Sequence, residues 1–195
     1  MPPRPTENVW KYPRPPALQR TSARLRVIWR PATGPSAATT GGGGGGGGGE
    51  EVVLADTTQG WRVLETSHPP TYYFPPSSVR RDLLQDSSAR RTMCEWKGQA
   101  KYHDVFSSKA RIWSYPSATG KTGPTSDSQG FEDIKGHYCF YASSNTDPKT
   151  QGAWVCMVDD DVVQAQEGDF YGSWITPEIT GGERGFKGAA GTWGW

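Results

Sequence analysis

The sequence predicts a mainly β fold with one or two short helices, on three observations. Glycine (25 residues) and proline (16) are abundant enough to break the chain at short intervals, as turn-rich proteins require. Nine tryptophans supply large flat surfaces for packing. The apolar stretches between the breaks are short and mostly alternate, the period of a strand with one buried face.

Taken in order, residues 1–24 are rich in proline and arginine, and Pro13, Pro15 and Pro16 forbid a helix, so an extended basic arm is expected there. Residues 25–195 are expected to form one β-rich domain, since 195 residues suffice for one domain with a real core but hardly for two. "LRVIWR" opens it as a strand. A Gly-rich insertion over 32–50 follows, whose polyglycine run has no side chain to bury and is expected to be flexible. "EVVLA" and "WRVLE" read as strands, and paired prolines bracket the aromatic cluster of "TSHPPTYYFPP". "SVRRDLLQD" predicts a short helix with Ser78 near its cap. "GQAKYHDVF" and "ARIWSYP" form a hairpin pair, and 117–130 is a polar, mobile loop. "FEDI" makes one turn, and "HYCFYA", "AWVCMV" and "VVQAQ" are strands. Asp159 to Asp161 form a solvated hairpin turn between the last two. Glycine at every third position from 182 to 194 lets the tail lie close against the sheet.

Composition narrows the function classes. A net charge of +1 calls for neither nucleic acid nor an anionic membrane as partner. No apolar run approaches the roughly 18 residues of a spanning helix. The first residues lack the apolar segment of a secretory signal, so a cytoplasmic address is expected. Cys94, Cys139 and Cys156 are widely spaced with no C-x-x-C pair, and His68, His103 and His137 lack helical ligand spacing, so no metal and no cofactor is expected. "TGKT" at 119–122 is not a phosphate loop, because Tyr115 stands where its first glycine belongs.

The aromatic clusters are the stronger feature. A cleft for a small molecule with an anionic or aromatic group is expected from His68, Tyr72 and Tyr73 in the first cluster, Cys94, Trp96 and Lys97 in the second, and Trp113 and Tyr115 in the third. The aromatics would cradle a planar group, Lys97 would meet an anion, and His68 would exchange protons near neutrality. Strand parity puts Cys94 beside Trp96 and turns Lys97 the other way unless Gly98 introduces a bulge, so Cys94 is expected to be a packing thiol.

"WKYPRPP", "ADTTQGWRVLETSHPPTYYFPP", "CEWKGQAKY", "WSYP", "IKGHYCFY" and "GDFYGSWITPEITG" followed by "FKGAAGTWGW" resemble the domain-of-unknown-function family 427, sometimes labelled nucleotidyltransferase-like. The resemblance covers most of the chain outside residues 32–50 and 117–130. It implies compact antiparallel sheets of tent-like form and carries no activity across. Glu95 departs from it, since the family usually has proline after the cysteine. Two alternatives to a small-molecule cleft follow: a nucleotidyltransferase-like enzyme, and a non-catalytic interaction module whose Pro-rich arm is the recognised part.

Overall fold

A computed structural model of the chain describes residues 4–32, 49–168 and 171–188. The polyglycine run up to Gly48 and the last glycines of the tail lie outside the described residues. Along the chain come β1 (Glu7–Asn8), β2 (Ala17–Thr21), β3 (Leu25–Arg30), β4 (Val52–Thr57), β5 (Gly60–Leu64) and β6 (Thr71–Phe74). The middle holds β7 (Gln85–Asp86), β8 (Met93–Cys94), β9 (Gly98–Gln99), β10 (Lys101–Val105), β11 (Ser108–Ser114) and β12 (Tyr138–Phe140). The last are β13 (Ala153–Val158), β14 (Asp161–Val162), β15 (Gln164–Ala165), β16 (Trp174–Ile175) and β17 (Ile179–Thr180). The fold is mainly β, as the sequence predicts.

Two antiparallel sheets carry the architecture. A seven-stranded sheet runs β2-β5-β6-β12-β11-β10-β7, and a four-stranded sheet runs β14-β13-β3-β4. The alternation in "LRVIWR" is realised residue by residue: Leu25, Val27 and Trp29 are buried while Arg26, Ile28 and Arg30 are not. The same holds for Trp154, Cys156 and Val158 on β13, which pairs with β3 along its whole length. These side chains meet Tyr72, Phe74, Ile112 and Phe140 from one face of the larger sheet, and Trp174 fills the space between, fully buried with its indole N–H donating to the Phe140 carbonyl at 2.8 Å. Sheet-on-sheet burial of this kind is the main source of stability in such a fold.

The larger sheet's other face carries a second cluster, including Leu18, Trp61, Tyr73, Trp113 and Cys139, roofed at one end by Phe131 and Ile134 of a 3-10 turn. "FEDI" forms that turn as expected.

Three segments differ from expectation. "SVRRDLLQD" is not one helix but the 3-10 turns Pro76–Ser78 and Arg81–Leu83, leading into β7. Val79 between them is extended and bridges to Ala55 of β4, and that tertiary pairing overrides a weak helical preference. The polar loop 117–130 is tied to the N-terminal segment by hydrogen bonds that its composition does not announce. Gly123 N–H donates to the Pro16 carbonyl at 2.9 Å, Ser126 Oγ accepts from Leu18 N–H at 3.1 Å, and Asp127 N–H donates to the Leu18 carbonyl at 2.9 Å. The loop thus pairs the otherwise open edge of β2, the usual protection against edge-to-edge association. A Cβ on Gly123 would lie 1.8 Å from the Pro15 carbonyl oxygen, so only glycine allows this approach.

The N-terminal segment is extended, yet its described part is woven into the body. β2 pairs with β5, and β1 pairs in parallel with β17. Arg4 binds Glu178 at 2.5 Å, Asp159 at 2.7 Å and Asp161 at 2.5 Å. The acidic turn expected to be solvated is therefore a receptor for a guanidinium, while the Asp160 side chain is 99% exposed.

Candidate functional site

A cavity of ≈ 450 Å³ opens on the second face of the seven-stranded sheet. Its floor is sheet: Val63, Thr71, Tyr73, Trp113 and Tyr102 project from β5, β6, β11 and β10. Because side chains alternate along a strand, Tyr73 faces the cavity while its neighbour Tyr72 faces the closed core, packed 5.1 Å from the Trp174 ring. Tyr72, a residue expected in the cleft, is therefore not part of it.

One wall is the hairpin of the "CEWKG" motif. β8 and β9 pair Cys94 with Gly98, and Glu95, Trp96 and Lys97 form the turn, closed by Gly98 at φ +90°, which favours glycine. The stretch is not a continuous strand, so strand parity does not apply. The turn brings Lys97 round to the same cavity as Cys94. Trp96 instead packs behind the turn against the second cluster, with the Arg14 guanidinium 5.7 Å from its ring, and does not line the cavity. Its buried indole N–H has no hydrogen-bond partner among the described residues.

Lys97 is 6% exposed. Its ammonium lies 5.5 Å from the Phe131 ring centroid and 5.9 Å from that of Tyr115, and it forms no ion pair among the described residues. Burial, reinforced by the half-buried Cys94 side chain, raises the Tyr115 phenol far above its ordinary range, keeping it neutral. Cys139 and Cys156 are fully buried, and burial pushes both thiols well up, as expected of packing thiols.

The opposite wall begins at a turn. Ser67 adopts φ +71° and donates its N–H to Val9, and His68 N–H donates to the Glu65 carbonyl at 3.0 Å before Pro69 and Pro70 lead into β6. His68 Nδ1 lies 3.0 Å from the Thr66 carbonyl, which can only accept, so the proton sits on Nδ1 and Nε2 is the acceptor. Burial lowers the His68 pKa, with Lys187 and Lys97 adding to the effect against Glu65, so the ring is neutral at pH 7. Tyr171 packs edge-on to it at 4.8 Å, and the Lys187 ammonium stands 5.6 Å from the Tyr171 ring. Gly172 follows: a Cβ there would lie 2.6 Å from the far edge of the Trp113 indole, so the absent side chain leaves that ring its place on the floor.

Three cations, Arg90, Lys97 and Lys187, face one carboxylate, Glu65, across the wall. The cavity is thus electropositive with aromatic surfaces. His68, Tyr73, Cys94, Lys97, Trp113 and Tyr115 are brought together there, while Tyr72 and Trp96 are not. Sequence reasoning missed Arg90, Tyr171 and Lys187. The glycines flanking "DFYGS" were the only local sign, since what joins these residues to the site is long-range folding.

A Ser–His–Asp chain lies on the closed face. His103 Nε2 is 3.0 Å from Ser114 Oγ and its Nδ1 is 3.6 Å from Asp86. Ser114 is 4% exposed and does not line the cavity, so the arrangement satisfies buried polar groups rather than presenting a nucleophile. Among the described residues no three His, Cys, Asp or Glu side chains gather as a metal site, and no helix is long and apolar enough to cross a membrane.

A family model described as a domain of unknown function, DUF427, matches residues 49–152. That span holds both cavity walls as far as Tyr141, whereas Tyr171, Gly172, Ser173 and Lys187 lie beyond it. No curated protein matches the chain.

Proposed function

Since the chain belongs to the domain-of-unknown-function family DUF427, its role must be sought in its own cavity, and we propose that this cavity binds a small organic anion carrying a planar group. The observation that supports this is Lys97: a residue only 6% exposed that lines the cavity, its ammonium with no carboxylate partner among the described residues. Removing such a charge from water is costly unless a counter-charge meets it. A bound carboxylate supplies that counter-charge. The rings of Tyr73, Trp113 and Tyr115 offer flat surfaces to the rest of the ligand, at the scale of cavity that drug-sized molecules occupy. His68, neutral, presents an acceptor on Nε2 to a ligand hydroxyl or amide.

Benzoate and benzyl alcohol test the reading, being similar in shape and differing in charge. A ligand that binds only the native state raises its stability, by about 2.7 kcal/mol at a hundredfold excess over Kd. Benzoate is expected to raise Tm in a dose-dependent way, with benzyl alcohol much weaker. Equal shifts from the two compounds, or none from either, count against an anion site. A single carboxylate at the wall, Glu65, does not supply the paired acidic ligands of a metal-dependent nucleotidyltransferase.

A further inference from the structure

The same wall that carries the unpaired ammonium carries a thiol. Cys94 is the one cysteine of the three that is not fully enclosed, and it lines the cavity together with Lys97. The Glu95 to Lys97 turn holds the two at opposite ends of a short hairpin loop, pinned from behind by Arg14 on Trp96 and by Gly120, whose Cβ would lie 2.4 Å from the Trp96 carbonyl oxygen. Thiol and ammonium are thereby fixed relative to each other rather than left on a free loop. Tyr115 lines the cavity with them.

We propose, resting on the anion-binding reading above, that Cys94 is a nucleophile toward electrophilic carbon carried by an anion seated at Lys97. Cys94 is partly exposed in the cavity that Lys97 also lines, and a cysteine sulfur is an intrinsically strong nucleophile. An anion docked on that cation has its neighbouring carbons held near the sulfur, which turns a collision into a positioned reaction. The ligand class is a short organic acid with an electrophilic centre close to its carboxylate, typified by an α,β-unsaturated acid. The thiol proton leaves to water, Sγ bonds the β-carbon, the π pair moves to the α-carbon, and that carbon takes a proton from water. The sum is addition of S–H across C=C, with nothing oxidised or reduced overall.

Iodoacetate and iodoacetamide report on this directly. With either, the Sγ–C bond forms, iodide leaves and the thiol proton goes to solvent, but only iodoacetate is an anion. In the native protein, with modification followed by mass spectrometry of the cysteine peptides, Cys94 is expected to react at least about fivefold faster with iodoacetate, and Cys139 and Cys156 to stay unmodified. The advantage should fade with added salt, as an exchange with a charged site does. In Lys97→Gln the preference should vanish or reverse. Should that variant fail to fold, the salt series on the unaltered protein still decides the matter. Faster modification by iodoacetamide, an iodoacetate preference indifferent to salt, or an unreactive Cys94 would each overturn the proposal. Cys94→Ser separates the two readings: a benzoate Tm shift that persists there while native Cys94 proves unreactive removes the nucleophile and leaves the anion site standing, whereas absence of any benzoate shift in the unaltered protein removes the anion site itself.

Discussion

The two faces of the seven-stranded sheet are built from the same kind of residue and meet opposite fates. Tyr72 and Tyr73 are adjacent, as are Trp113 and Ser114, and Cys139 and Phe140. On one face Tyr72, Phe74, Ile112 and Phe140 are sealed by a second sheet and by Trp174. On the other, Tyr73 and Trp113 are covered at one end by the Phe131–Ile134 turn and at the other stand over a cavity holding charged side chains. Aromatic content therefore does not mark a binding face. What distinguishes the open face is the cover: a flat sheet excludes everything, whereas a hairpin turn and a glycine-flanked segment leave a gap.

The contrast can be broken most strongly on the closed side. Phe140→Ala should destabilise by about 3–5 kcal/mol, because a fully buried ring leaves a void that two packed sheets cannot collapse. Urea unfolding should show a lower midpoint at unchanged slope. On the open side, Gly172→Ala should cost less, about 1–3 kcal/mol. The new methyl forces the Trp113 edge out of its place, narrowing the floor of the cavity. Benzoate should still shift Tm in this variant while the larger 2-naphthoate loses its effect; retention of both would show that the ring relaxes elsewhere. Lys97→Met should change stability by less than about 1 kcal/mol, or raise it, since a buried charge without a partner is replaced by an apolar chain of similar length. The same variant should lose the benzoate response.

The smallest effect separates two histidines, one on each face. Burial lowers the pKa of both His68 and His103. The unfolded chain then takes up protons first as pH falls, so the stability they contribute is complete above about pH 6.5 and is lost on acidification through that value toward their lower folded pKa values. NMR titration of the ring protons should show both midpoints below 6.5. Saturating benzoate should raise that of His68 by roughly half a unit, as a nearby anion favours the imidazolium, and leave His103 where it was.

Much of the closed face could be read from the sequence, and little of the open one. Alternation in "LRVIWR" and "AWVCMV" states which residues enter the core, because a period of two is imposed by the strand itself. Tyr72 went to the wrong face for a related reason: membership of an aromatic cluster was weighed without the parity that separates it from Tyr73. Lys97 does line the cavity as expected, but its separation from Cys94 by strand parity fails, because parity does not carry across a turn that Gly98 closes at positive φ. The loop 117–130 looked mobile because polarity alone was counted, while its backbone and serine groups pair with an edge strand that composition does not reveal. Arg90, Tyr171 and Lys187 reach the site from segments far from its centre, and no local rule joins them.

The pairing of the first strand with the last has a consequence for biosynthesis. Arg4 and Glu178 are 174 positions apart, and Glu7 N–H donates to the Glu178 carbonyl at 2.9 Å. As the chain leaves the ribosome, Glu7 can meet Arg62 early, but Arg4 meets Asp159, Asp161 and Glu178 only after a separation of more than 150 positions has been made. Contacts of such long separation close late and slowly. The acidic turn at Asp159 and Asp161 therefore receives the Arg4 guanidinium only once that long loop closes.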